Sequence, residues 1–164
     1  MKILGIDPGT QVAGYGVIEK VGSAVRAVEY GSIKVNKNDV YSQRLKTIHC
    51  RIMEIIHKHK PDQMAIEEVF YGKNIKATIK IGEGRGIVLL CAALANIPIT
   101  EYAATVIKKA VVGSGNAHKG QVQQMVKLIL GLSDTPEPQD ASDALAIAIC
   151  HSHNLLPGYE PEKT

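Results

Sequence analysis

At 164 residues, the chain is the size of one ordinary domain, and a hydrophobic content of 45% is enough for a core of its own. No apolar run approaches the roughly 20 residues of a membrane span, and the opening "MKILGIDPGT" reaches an acidic turn too soon for a signal peptide. The net charge of +3 permits a nucleic-acid partner without demanding one, and three scattered cysteines (Cys50, Cys91 and Cys150) point to reduced thiols in a cytosolic protein rather than to a disulfide framework.

Met1–Ile6 reads as a short apolar strand that "DPGT" ends, because Pro8 and Gly9 are turn residues. "VAGYGVIE" and "VRAVEYGSIKV" read as two further strands, and the short connections make the first three an antiparallel meander. Asn38 or Asp39 can cap the next segment. There Leu45, Ile48, Ile52, Ile55 and Ile56 recur at helical spacing until Pro61 closes it. "QMAIEEVF" is a strand again. Ile75–Ala95 has a helical pattern interrupted by Gly82, Gly84 and Gly86, and "IPITEY" is a fifth strand. "ATVIKKAVVG" reads as a short helix ending at Gly113, "SGNAHKG" as a loop, "QVQQMVKLILGL" as a helix and "SDTPEPQ" as a loop. A final helix runs from about Gln139 to His153, and residues 154–164 form a frayed tail. Without repeats or a linker, this order predicts one α/β domain over residues 1–153, a mixed five-stranded sheet with helices on its faces.

Four carboxylates draw attention. On the last helix, Ala141, Ala144, Leu145, Ala148 and Ile149 form an apolar stripe whose small alanines permit close packing on the sheet. Asp140 and Asp143 stand three apart beside that stripe. Taken alone, they fit a helix start, with Asp140 as N-cap and both charges at the positive dipole end. Asp7 closes the first strand, where a turn aspartate is the plain alternative. Glu67 and Glu68 sit inside a strand flanked by apolar residues, and at least one of them must point toward a covered face. A buried, unpaired carboxylate needs a cation, a proton or donors.

A sheet that sets the first strand beside "AIEEVF", with the last helix over both, brings Asp7, one glutamate, Asp140 and Asp143 together. Two carboxylates about 4 Å apart repel by roughly 4 kcal/mol at an effective dielectric near 20, so four do not gather uncompensated. Mg²⁺ is the hard cation that takes such oxygens. Two such ions roughly 3.5–4 Å apart clamp the attacking and leaving oxygens of a phosphodiester.

At these residues the sequence resembles the RuvC family of Holliday junction resolvases. "ILGIDPGT", "AIEEVF", "YAATVIKKAVVGSGNAHKGQV" and "DASDALAIAICH" stand in the family's order and spacing across residues 1–153. The resemblance implies a ribonuclease-H-like fold, a homodimer, two Mg²⁺ per active site with Mn²⁺ able to substitute, and paired symmetric nicking of four-way DNA junctions in recombination and repair. It further implies the RuvA and RuvB branch-migration proteins as partners and a cytoplasmic location. It places metal-binding, catalytic carboxylates at Asp7, Glu67, Asp140 and Asp143, and so chooses Glu67 over Glu68. Some relatives carry histidine where this chain has Asp140.

Lys108 and Lys119 match lysines that the family uses near the scissile phosphate. Lys119 also opens a helix after "GSGNAH", where backbone N–H groups favour phosphate, which adds it to the catalytic set. Lys73, Lys76, Lys80 and Arg85 lie on or just before the glycine-broken helix, placed to track a phosphate backbone. Phe70, the sole phenylalanine, follows "AIEEV" directly. In relatives an aromatic there stacks on a base of the opened junction, a role that Tyr71 could share or take. Cys150, His151 and His153 of "CHSH" read as structural, since helix neighbours one or two apart do not face each other. Three rival readings compete: an actin-like ATP-binding protein, which needs a second domain; a non-catalytic junction-binding protein, which would be marked by a lost carboxylate; and an RNase-H-like nuclease acting on RNA precursors. The same glycine-broken helix offers a dimer surface, because Gly82 and Gly86 stand four apart on one face; close approach to the chain's own sheet is the alternative.

Overall fold

The computed structural model describes residues 1–68 and 75–155. Its elements run β1 (Lys2–Asp7), β2 (Val12–Val21), β3 (Ala24–Lys34), α1 (Tyr41–His59), β4 (Gln63–Glu67), α2 (Ile75–Leu94), β5 (Ile99–Tyr102), α3 (Ala104–Val112), α4 (Lys119–Leu130) and α5 (Gln139–Asn154). The sheet order is β3-β2-β1-β4-β5. The expected meander is present: β1, β2 and β3 pair antiparallel. Crossovers through α1 and α2 return the chain in the same direction, so β4 and β5 add in parallel.

Strand alternation sorts the sheet's residues between two cores. Leu4, Ile6, Met64 and Ile66 pack with Ile48, Ile52, Ile55 and Ile56 of α1 and with Val88 and Cys91 of α2. Ile3 and Ala65 pack on the other face, with α3, α4 and α5. Asp7 therefore shares the α5 face with Ile3 and Gly5, and Glu67 shares it with Gln63 and Ala65. Both strands are covered on both sides, which accounts for their nearly continuous apolar sequences.

α5 lies very close to this face. Ala141, Ala144, Leu145 and Ala148 are fully buried, as the stripe predicts. The strands match them with glycine: a Cβ on Gly5 would stand 2.2 Å from the Ala144 carbonyl oxygen, and one on Gly14 would stand 1.9 Å from that of Asp140. Only a residue without a side chain admits the helix backbone there.

Several local expectations change. Neither Asn38 nor Asp39 caps α1; the cap position is Val40. Asn36 instead holds its own turn, accepting from the Asn38 N–H at 3.0 Å and donating to Asp39 at 3.2 Å. The cap position of α5 is Pro138, so Asp140 stands within the first turn rather than capping it. α4 starts at Lys119, two residues before the expected "QVQ", with the Gln121 side chain accepting from the His118 N–H at 2.9 Å. Gly113 does end α3, in the left-handed conformation. On α2, Gly84 approaches Gly9 and Thr10 of the turn after β1, whereas Gly82 and Gly86 have open space beside them. Close approach to the sheet therefore does not explain those two. Among the described residues no helix is long and apolar enough to cross a membrane.

Gly5→Ala is expected to destabilise the fold by more than about 2 kcal/mol, because the new methyl meets helix backbone rather than a yielding side chain. Urea unfolding measures this; a loss below about 0.5 kcal/mol would show that α5 is not seated by that contact.

Candidate active site

Asp7 and Glu67 are the last residues of adjacent parallel strands, one step beyond the Ile6–Ile66 pair, so they emerge side by side at the carboxyl edge of the sheet. In open α/β sheets ligands bind at that edge. Glu68 lies beyond the strand and is exposed, whereas Glu67 is half-buried on the α5 face. The structure thus distinguishes two glutamates that local pattern alone left equivalent.

The first turn of α5 carries Asp140 and Asp143 over these strand ends. Asp7, Glu67 and Asp143 line a cavity of about 240 Å³, closed by Lys108 of α3, Lys119 of α4 and an apolar wall that includes Ile107, Val122 and Ile147. Asp140 is not one of the residues lining it. Its charge reaches both Asp7 and Asp143.

Electrostatics show how tightly the acids are drawn together. Burial first, then the Asp143, Glu67 and Asp140 carboxylates, push Asp7 from its ordinary 3.8 up to about 7, with Lys119 opposing. Burial and Asp143 push Glu67 up against the pull of Lys119 and Lys108. Asp143 is raised chiefly by burial, with Lys119 pulling it down and Asp140 pushing it up. The Lys119 ammonium stands 3.7 Å from the Asp143 carboxylate. Among the described residues, no three His, Cys, Asp or Glu side chains close into a finished ligand cage. The donors nevertheless suit a hard divalent cation: they are all carboxylates, half-buried, and short of positive charge.

The remaining expected site residues fall in three places. Lys76 and Lys80 line a shallow groove of about 290 Å³ with Tyr41, Ile79 and Glu83, outside the carboxylate cavity. Arg85 is ion-paired with Glu101 of β5. Phe70, Tyr71 and Lys73 lie outside the described residues. The structural reading of "CHSH" accords with the partners of its side chains. His151 joins Tyr102 at 2.8 Å and Gln63 at 2.7 Å, His153 faces the Ala110 carbonyl at 3.2 Å, and the Cys150 sulfur accepts from Asn154 at 3.5 Å. Sequence reasoning missed Gly5 and Gly14, which let α5 deliver its aspartates. Glycines spaced within strands opposite an alanine-rich helix were the available signal.

A sheet of this order, with acids at the carboxyl ends of two central strands and on the covering helix, defines the ribonuclease-H-like class of metal-dependent nucleases. The family model described as crossover junction endodeoxyribonuclease RuvC matches residues 3–151. A relative from Halothermothrix orenii, the crossover junction endodeoxyribonuclease RuvC, is 47% identical over 94% of this chain and 93% of its own. T. thermophilus RuvC, solved in complex with a Holliday junction substrate, superposes with a TM-score of 0.88 at 35% identity, covering 93% of both chains. The yeast mitochondrial resolvase Ydc2 shares the fold at 14% identity and a TM-score of 0.63, over 90% of this chain and 77% of that one. The chain belongs to the RuvC family of crossover junction endodeoxyribonucleases.

The raised Asp7 carboxyl has a consequence for stability. Below about pH 4 it is protonated in folded and unfolded chains alike. As pH rises towards 7 the unfolded chain ionises it while the fold retains the proton, so stability is lost across that window. In metal-free protein Asp7→Asn is expected to change stability little near pH 4 and to raise it by on the order of 3 kcal/mol near pH 8. Urea melts in chelator at both pH values test this; an equal effect at each would remove the electrostatic explanation.

Proposed function

We propose that this chain resolves four-way DNA junctions as a Mg²⁺-dependent homodimer, with Asp7, Glu67, Asp140 and Asp143 holding the metal. The observation that carries this reading is the convergence of Asp7, Glu67 and Asp143 on one cavity beside Lys119, each carboxyl raised by burial and by its acidic neighbours, within a chain of this family. Bound Mg²⁺ supplies positive charge that favours attack on the phosphodiester and stabilises the departing oxygen. Mn²⁺ substitutes as a similar oxygen-seeking ion.

The protein's own groups do the rest. The four acids fix where cations sit. Lys119, exposed at the first turn of α4, reaches from Asp143 toward a phosphate, where helix N–H groups add to its attraction. Lys108 supports the same phosphate from α3. The apolar wall of Ile107, Val122 and Ile147 keeps the local dielectric low, which strengthens these charges. Lys73, Lys76, Lys80 and Arg85 track the DNA backbone, and Phe70 or Tyr71 stacks on an opened base.

One active site cannot reach both strands of a junction at once, and a twofold dimer supplies two sites with matching symmetry. The α2 face suits such a contact. Ile79, Gly82, Gly86, Leu90 and Leu94 follow helical spacing, with Ile79 56%, Leu90 49% and Leu94 59% exposed. Within this stripe the glycines are small enough for a second helix to approach, and exposed Glu83 adds one charge to the same face. The family resemblance implies the RuvA and RuvB branch-migration proteins as partners, and a DNA junction substrate fits a cytoplasmic location.

Asp7→Asn, Glu67→Gln, Asp140→Asn and Asp143→Asn are each expected to abolish junction cleavage while retaining junction binding, and Glu68→Gln to retain most cleavage. Full activity in any of the four would remove that residue from the metal site. Sedimentation equilibrium is expected to give near twice the 17.7 kDa chain mass. Gly86→Leu, which meets open space within its own chain, should fold yet dissociate and lose paired cutting; a wild-type monomer making coordinated cuts would overturn the dimer.

A further inference from the structure

α5 carries acids at one end that repel the acids on the strands. Some other contact must hold that helix in register. Asp143 stands beside Glu67, and their charges oppose each other. Farther along, His151 of α5 meets Gln63 of β4: the ring nitrogen Nε2 is 2.7 Å from Gln63 Oε1. From Asp143 to His151 is eight helical residues, about 12 Å of rise. From Glu67 to Gln63 is four strand residues, about 13 Å. The helix and strand run in opposite directions, so these are two matched rungs, one charged and repulsive, the other neutral and hydrogen-bonded.

Tyr102 completes the second rung. It is the β5 residue paired with Glu67 in the sheet, and its hydroxyl is 2.8 Å from His151 Nδ1. Its carbonyl also accepts from the Glu68 N–H at 2.9 Å. A neutral imidazole offers one donor and one acceptor. With Nε2–H donating to Gln63, Nδ1 accepts from the tyrosine O–H, and all three polar groups are satisfied. His151 is 2% exposed and Gln63 4% exposed, so each bond is shielded from competing water.

We propose that Gln63, His151 and Tyr102 form a positioning network that holds Asp143 against Glu67 and so preassembles the divalent-metal site. This rests on the carboxylate-metal reading above. The buried methyls of Ala65, Ala144 and Ala148 resist separation but are nearly indifferent to small sliding, whereas hydrogen bonds fix distance and direction. Without the network, part of the metal's binding free energy goes into drawing Asp143 and Glu67 together.

Gln63→Met keeps the side-chain length and removes the acceptor; Tyr102→Phe removes only the hydroxyl; Gln63→Glu keeps an acceptor for His151. Mg²⁺ titrations by calorimetry on the DNA-free full chain, beside circular-dichroism melting curves, read the effect. Gln63→Met and Tyr102→Phe are expected to weaken Mg²⁺ binding roughly tenfold, as outer-shell groups do, and Gln63→Glu is expected to restore most of it. Junction cleavage should then need correspondingly more Mg²⁺ and reach its usual maximal rate once saturated. Lowered melting temperatures with unchanged Mg²⁺ affinity in both variants would overturn the proposal. Asp7→Asn, titrated in parallel, separates the two levels: unaltered Mg²⁺ binding there would refute the carboxylate site itself, whereas its loss beside unaltered Gln63→Met would refute the network alone.

Discussion

Repulsion among four carboxylates at one edge of the sheet is the constraint on which the rest of the molecule depends. Asp7 and Glu67 arrive there because β1 and β4 are parallel neighbours ending at the same level. Asp140 and Asp143 arrive because α5 begins above those ends. Burial first, and then mutual repulsion, oppose their meeting, and both displace the Asp7 carboxyl upward. The fold overrides that cost with the fully buried alanine face of α5, the glycines beneath it and the Gln63–His151–Tyr102 bonds. The seat on Gly14 lies directly under Asp140, and the hydrogen bonds hold the far end of the helix.

The two sheet faces divide the work in a similar way. The α3, α4 and α5 layer supplies every described group that lines the carboxylate cavity, apart from the two strand ends. The α1 and α2 layer leaves an apolar stripe and two lysines facing outward. Gly84 joins the layers by meeting Gly9 and Thr10, two and three residues beyond Asp7. The surface suited to a second copy is therefore continuous with the carboxylate edge.

Much of this was legible in the sequence because it rests on periodicity. Strand runs, helical spacing and turn residues gave the elements nearly in place, and the stripe on the last helix named its buried residues correctly. Glu67 and Glu68 stood out because a carboxylate within an apolar strand demands an explanation, and Asp140 and Asp143 because two like charges stand three apart on one helix start. Choices depending on non-local geometry were less legible. Glu67 and Glu68 differ only in which side of β4 they leave. Asn38 and Asp39 have the chemistry of a cap, but Asn36 draws that turn onto itself. Gly14 acquires its meaning from the Asp140 backbone, more than a hundred residues away. His151, read as structural from the sequence, owes its role to Tyr102 and Gln63, which no local pattern connects to it.

The most direct test of the central claim is anomalous diffraction from crystals of the wild-type chain equilibrated with Mn²⁺. Two manganese peaks are expected at the carboxyl edge of β1 and β4, with oxygens of Asp7, Glu67, Asp140 and Asp143 as their protein ligands. Manganese at saturating concentration that leaves this edge empty and settles on other carboxylates would contradict the account.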